Sequence, residues 1–510
     1  MRKMDINRRA FMKWTSLGLI GGVLGLNPSS SVARMNWGNG NVIDPPPGGP
    51  FKDPVELTNQ SQIAGVFESE LNVKIAPINI NGKTANLLTY NGHFPGPTIS
   101  VKKGDLLRVH FKNSLPTTGA LNVLGYTENV TNLHTHGLHV SPLGNSDNIF
   151  EHFMPGEEFV YEYDTSKQEA GALCFYHPHV HGLVAEQIWD GLAGALVVED
   201  ETEVLAGFES HLLVLKDIQL SGSEPQPYSI MDYTSGKEGN TVMVNGQVNP
   251  VLSISPGEVQ RWRIVNASTA RFYRLSLENH MMYLVGTDGG MLDKPYPIST
   301  ILLAPGERID LLIKANGGNG TYRLLSLPYN RGNMMMGGRG MMGGNTGQTV
   351  TLMTLSCEGA SVNDSIPSSI NPDAKRLKIN TNSLPRKSLA LSMGMGRGFI
   401  NGMDFAVNPF TMTSQVGTYE VWEIINHSGM DHPFHQHVTP AQILSVRGGD
   451  RGYASLYTTI PAWKDTIIVP KMGGSVTMLV PVQDFKGKTV FHCHIVEHED
   501  IGMMGIWEIH

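Results

Sequence analysis

One short pattern occurs three times along this chain, and a repeat of such length constrains the fold more than any other feature. Tyr90-Asn91-Gly92 leads into PTISVKKGDLLRVHFKN, which carries Gly104 and Asn113. Val244-Asn245-Gly246 leads into PVLSISPGEVQRWRIVN, with Gly257 and Asn266, and Ile400-Asn401-Gly402 into PFTMTSQVGTYEVWEIIN, with Gly417 and Asn426. The gap from glycine to asparagine is nine residues each time, and these glycines lie 153 and 160 residues apart. Each copy alternates apolar and polar residues between Gly, Pro and Asn, which predicts strand, turn and strand. Solenoid repeats run to about 20–50 residues, so a longer period means duplicated domains. Amphipathic-helix patterns are scarce; the best, near Ala185–Leu192, is short. The expectation is an all-β chain of three consecutive antiparallel β-sandwich domains, at 34–200, 201–360 and 361–510. The Gly/Pro-rich stretch 38–50 reads as a loose N-terminal arm.

Residues 1–33 read as an address. Asn7-Arg8-Arg9-Ala10-Phe11-Met12-Lys13 precedes an apolar run from Trp14 to Leu26 and then Ser31-Val32-Ala33. A twin arginine, a short hydrophobic stretch and a small-residue end predict a Tat signal peptide and a periplasmic or otherwise exported protein. The run falls short of the roughly 20 apolar residues that cross a bilayer, and no later segment approaches that length, so no membrane span is expected. Removing residues 1–33 takes away five positive charges and one negative, moving the formal net charge from −8 to −12. That balance repels phosphate backbones, so nucleic acid is excluded as a partner. Nothing in the sequence calls for an oligomer, and a monomer is expected.

Nineteen His and 25 Met point to metal. His134-Thr135-His136 and His177-Pro178-His179 lie in the first repeat, His435-Gln436-His437 and His492-Cys493-His494 in the last. On a strand, residues i and i+2 share a face, so each pair presents two imidazoles side by side. One such pair would fit a surface coincidence or a structural zinc. Four pairs, at the two ends of a chain whose middle repeat has none, predict a metal cluster between the first and third domains. Cys493 faces away from His492 and His494 and is free to bind a separate metal behind its strand. The spacing Cys493-x4-His498-x4-Met503, with His432 from HPFHQH, supplies one thiolate, two imidazoles and a weak thioether, the ligand set of a blue electron-transfer copper. Zinc gains nothing from a thioether.

HTHG, HPH, HPFHQH and HCHIVEHEDIGMM together resemble the four copper signatures of the multicopper oxidases, the laccase and cuprous-oxidase family. The likeness extends over the whole chain after its signal and implies three cupredoxin-like Greek-key domains with four copper ions. Carried over residue by residue, it implies a type 1 copper on His432, Cys493 and His498 with Met503 axial. It implies a type 2 copper on His134 and His435, and a type 3 pair on His136, His177, His179, His437, His492 and His494. Relatives that serve as structural or division proteins lack such ligands. In the family, electrons enter at the type 1 site, pass through Cys493 to the cluster and reduce O2 to water. Asp147 and Glu499 are the expected proton donors, and Asp500 is expected to be structural. His139 and His181 fall outside the ligand set. His152, His211, His280 and His427 are read as ordinary hydrogen-bonded or surface residues. Cys174 and Cys357 are read as free buried thiols.

The electron donor is the less constrained question. Met334, Met335, Met336, Met341 and Met342 stand among glycines in segment 333–344 near the end of the second domain. Thioethers are soft ligands suited to Cu(I). A flexible loop covering apolar surface is the alternative. Met-rich insertions of this kind resemble those of periplasmic cuprous oxidases of copper resistance. Met430, with Asp431 as a candidate oxygen ligand, and Met393-x-Met395 add to this. The leading expectation is therefore an O2-dependent oxidase of Cu(I), with small phenols as further reductants. A true laccase with an aromatic donor is the alternative, and a copper-sequestering protein without turnover the third. The third domain and four His pairs disfavour a two-domain nitrite reductase.

Overall fold

The computed structural model describes residues 42–199, 204–316, 318–332 and 347–510. The signal-like segment 1–33 and the methionines of 333–344 lie outside the described residues. Strands dominate, and among the described residues the α-helices are short: Val184–Trp189, Ile230–Ser235, Arg451–Tyr457 and Val496–Asp500. The first of these falls where the sequence offered its best helical pattern.

Six main sheets form three two-sheet sandwiches. In the first, Lys83–Tyr90, Val66–Ile80, Leu106–Asn113 and Glu158–Asp164 face Gly96–Lys102, Gly194–Glu199, Leu173–His177 and His134–His136. The second builds on Glu209–Ile218, Val259–Asn266 and Arg308–Lys314 on one side, and on Tyr273–Leu277, Gly320–Leu327 and Thr349–Cys357 on the other. In the third, Arg386–Gly394, Thr418–Asn426 and Ser475–Val482 lie opposite Met504–Ile509, Gly487–Cys493, His432–Gln436 and Thr466–Val469. Most pairings are antiparallel, yet each sandwich also holds parallel ones: Val66–Ile80 with Leu106–Asn113, Glu209–Ile218 with Val259–Asn266, and Arg386–Gly394 with Thr418–Asn426. The chain crosses to the second sheet and back between such partners, so they run the same way.

The repeated asparagines explain the recurrence. Asn91, Asn245 and Asn401 adopt φ of 56°, 53° and 51°, each followed by a positive-φ glycine, as a tight turn requires. Each side-chain oxygen accepts a 2.7 Å hydrogen bond from the neighbouring strand, from Asn72, Val214 and Ala390 N–H respectively. The second asparagines are buried tethers. Asn113 Nδ2 donates to Asn129 and Phe153 carbonyls, Asn266 Nδ2 to Arg271 and Leu303, and Asn426 Nδ2 to Met430 and Val469.

The first sandwich closes over its own core, including Leu71, Leu107, Phe111 and Tyr161. The cores of the second and third run together, from Trp262 and Leu311 through to Trp422, Phe491 and Trp507. The N-terminal stretch is not a loose arm where described. Val42–Ile43 adds as a parallel strand to Thr349–Val350, and Gly48 and Phe51 N–H donate to Asn249 and Val251 carbonyls. Such a segment needs no periodicity of its own, because backbone groups at a sheet edge accept any non-proline partner.

Candidate metal centre

The histidines reach their positions by strand parity. Gly487–Cys493 pairs antiparallel with His432–Gln436, setting His492 opposite His435 and Cys493 opposite Phe434. An odd separation flips a side chain to the other face. His432 therefore points away from His435 and His437, to the face that Cys493 occupies. In the first sandwich His134 pairs with His177 across adjacent strands.

Eight imidazoles from the first and third sandwiches meet in one buried cluster. His179 Nε2 and His437 Nε2 lie 3.1 and 3.2 Å from His492 Nε2. His134 stacks on His437 at 3.9 Å between centroids, and His136 on His435 at 3.7 Å. Several rings are anchored through one nitrogen and leave the other free. His134 Nδ1 donates to Asp147 Oδ2 at 2.9 Å, His136 Nε2 to Asp465 Oδ1 at 3.1 Å and His177 Nδ1 to the Pro178 carbonyl at 2.9 Å. His435 Nδ1 donates to the Asp465 carbonyl at 2.9 Å and His492 Nδ1 to that of Cys493 at 3.0 Å. Among the described residues, His134 Nε2, His136 Nδ1, His177 Nε2, His435 Nε2 and both nitrogens of His494 have no hydrogen-bond partner. Orphaned buried nitrogens are costly, and a metal relieves that cost. Burial holds His134, His136, His179, His437, His492 and His494 far below the usual imidazole range, and His177 at about 3. Neutral rings with free lone pairs are what a metal binds.

Behind the strand lies a second constellation. His432 Nδ1 is 3.2 Å from Cys493 Sγ and 3.2 Å from His498 Nδ1, which is 3.7 Å from the same sulfur. Ser428 Oγ, 2.6 Å from His432 Nε2, orients that ring. Met503 is buried beside them; its carbonyl accepts from Cys493 N–H at 3.1 Å, and its N–H donates to the His498 carbonyl at 2.8 Å. Burial pushes the Cys493 thiol up, so without a cation it stays protonated. One soft sulfur with imidazoles fits copper.

Of the carboxylates named from sequence, Asp147 and Glu499 touch the cluster, whereas Asp500 and Asp431 do not. Asp147 binds His134 and accepts from the backbone and hydroxyl of Thr135, while burial raises it to about 7. Glu499 lies 3.1 Å from His492 Nδ1 and 3.4 Å from His179 Nδ1, spanning both sandwiches, and burial pushes it well up. Asp500 accepts from Gly182 and Ala185 N–H at the start of helix Val184–Trp189. Asp431 accepts from Tyr329 Oη and Lys471 N–H, so both its oxygens already hold the surrounding loops. Met430 is buried with its sulfur 3.7 Å from Arg331 Nη1. Among the described residues the three cysteines are free and buried. His139 spans Val438 O and Asp484, and His181 has neither ring nitrogen bonded. Sequence reasoning missed Ser428, four residues before His432 but part of no motif, and Asp465 and Arg308, which meet His136 and each other across 329 and 157 positions.

Fold and donor set together define a copper-dependent oxidoreductase of cupredoxin type. Family models described as multicopper oxidase match residues 72–203, 212–341 and 373–510. Multicopper oxidase mco of Staphylococcus aureus is 31% identical over 441 residues, 83% of this chain and 84% of that protein. The laccase of Bacillus subtilis (strain 168) is 27% identical over 510 residues, 89% of this chain and 96% of its own. The structure titled "Multicopper oxidase from Campylobacter jejuni: a metallo-oxidase" aligns at TM-score 0.76 and 30% identity, covering 92% of this chain and 98% of that one. The chain belongs to the multicopper oxidase family, and it is an oxidase that joins a reducing substrate to O2.

Proposed function

We propose that this oxidase holds four copper ions and oxidises Cu(I), with small phenols as secondary reductants. The observation that carries the reading is the two-sided strand ending at Cys493, with its sulfur against His432 and His498 and the flanking His492 and His494 among the other rings. On this reading His432, Cys493, His498 and Met503 are type 1 ligands, and His134 and His435 are type 2. His136, His177, His179, His437, His492 and His494 hold the type 3 pair. Bound copper supplies one-electron acceptance at the thiolate and four-electron reduction of O2 at the histidine cluster.

The chain's own residues supply position and protons. Cys493 joins the two constellations through two peptide bonds, the shortest covalent path available. Burial pushes the carboxyl of Glu499 well up, which favours its protonated form beside His179 and His492. Asp147, at about 7, divides between its two forms near neutrality, where a general acid works best.

Support for a Cu(I) donor comes from the loop that leads into His432. Asp431 N–H donates to the Arg331 carbonyl at 2.7 Å, and Gly332 bridges to Met430. Gly332, beside the ligand loop, is followed directly in the chain by segment 333–344 with its five methionines. Soft sulfur at that point suits Cu(I) capture. The twin-arginine segment supports export to the periplasm, and copper detoxification by a monomer is the role that fits. Among the described residues no helix is long and apolar enough to cross a membrane.

The competing reading is a laccase, favoured by the likeness to the Bacillus subtilis enzyme. Deleting residues 333–344 separates the two: loss of Cu(I) oxidation with retained or increased turnover of a bulky phenol supports the first, and unaltered Cu(I) oxidation overturns it. Steady O2 uptake that Cys493→Ser reduces to background eliminates mere sequestration.

A further inference from the structure

The second sandwich carries no His-x-His pair, yet one of its side chains reaches the cluster. Arg308 is fully buried, and all five N–H groups of its guanidinium are used. Nε donates to the Leu173 carbonyl of the first sandwich at 2.9 Å, Nη1 to Gly306 O at 3.0 Å and Nη2 to Asp288 O at 3.0 Å. The two remaining bonds, both 2.6 Å, go to Asp465 Oδ1 and Oδ2 in the third sandwich. One guanidinium thus ties the three sandwiches together, in the bidentate geometry that fixes a carboxylate in its plane.

Asp465 passes that order to two rings. Its Oδ1 accepts from His136 Nε2 and from Thr466 Oγ1 at 2.9 Å, and its carbonyl accepts from His435 Nδ1. Lys464 Nζ, between Asp288 Oδ2 at 2.9 Å and Glu307 Oε1 at 2.7 Å, balances the carboxylates behind. Space for the guanidinium exists because residue 137 is glycine: at its φ of +93°, a Cβ would lie 2.2 Å from Arg308 Nη2. Asp465 with His136 and His435 forms a possible ligand trio, with donor atoms within 4.8 Å of one another. With both carboxylate oxygens gripped by Arg308, however, Asp465 is a better hydrogen-bond acceptor than ligand.

We propose that Arg308 is a positioning residue of the histidine cluster, holding Asp465 so that His136 and His435 keep Nδ1 and Nε2, respectively, free for copper. The inference rests on the copper reading above. Its test uses Arg308→Lys, which keeps the charge but loses the fork, and Asp465→Asn, which keeps the shape but loses the charge, together with the double variant. Copper per chain, the electron paramagnetic resonance of the histidine-bound copper and the blue absorbance of the Cys493 site are measured on each purified protein.

Support is loss of cluster copper, or a changed hyperfine splitting, in both single variants with the blue absorbance unchanged, and a double variant no worse than either, as for residues acting as one unit. Unchanged copper content and splitting in both variants overturns the proposal. So does parallel loss of blue and cluster copper, which would mark a general clamp between domains. A wild-type protein without copper in the histidine cluster overturns the copper reading itself, and that control separates the two failures.

Discussion

Asn426 shows how one side chain serves both fold and site. Its counterparts Asn113 and Asn266 make the same kinds of bond, but only Asn426 donates to the Met430 carbonyl, two residues before His432. Ser428 N–H and Oγ both donate to its Oδ1, and that hydroxyl also meets His432 Nε2. Removing such a buried partner costs about 1–3 kcal/mol. Asn266→Ala and Asn426→Ala are expected to destabilise by similar amounts in denaturant melts. Only Asn426→Ala should also shift or weaken the blue absorbance of the copper-loaded protein. The repeat and its turn were legible in sequence; the difference in duty between copies was not, because it lies in what the asparagine happens to face.

At the scale of elements, strand parity does most of the work. HPFHQH divides between two faces by odd and even spacing, and HCH does the same around Cys493. A neighbour that no motif marks, strand Arg397–Ile400, packs on the outer constellation. A Cβ at Gly398 would lie 2.7 Å from Met503 Cβ and 3.0 Å from the His498 carbonyl. Gly398→Val should cost about 1–3 kcal/mol through overpacking. Because Gly398 packs on Met503 and His498 of the Cys493 side, visible spectroscopy should show a displaced or bleached blue band while copper in the histidine cluster stays at wild-type stoichiometry. Loss of copper from the cluster instead would contradict this division of faces.

For the whole molecule, the cluster is a joint. His134, His136, His177 and His179 come from one sandwich and His435, His437, His492 and His494 from another, with unbonded nitrogens between them. A metal that binds only the folded protein stabilises it, by about 2.7 kcal/mol per site at a hundred times its Kd. Stripping copper with a chelator is therefore expected to lower the melting temperature by several degrees in calorimetry, and restoring copper to recover it. An unchanged melting temperature would mean that the junction is held by protein contacts alone.

The sequence by itself determined the all-β class, the threefold repeat, the four histidine pairs and the two faces of the Cys493 strand. All of these follow from periods of two and from turn chemistry, which act over a few residues. It also placed Asp147 and Glu499 beside the cluster, since both stand within a short stretch of a ligand. Tertiary structure alone decided that Val42–Ile43 pairs with the second sandwich, that Asp465 anchors His136, and that Arg308 reaches both neighbours. Those contacts join residues separated by 135 to more than 300 positions. No local periodicity encodes them, because they depend on how three separately patterned sandwiches pack and on which buried charge is left needing a partner.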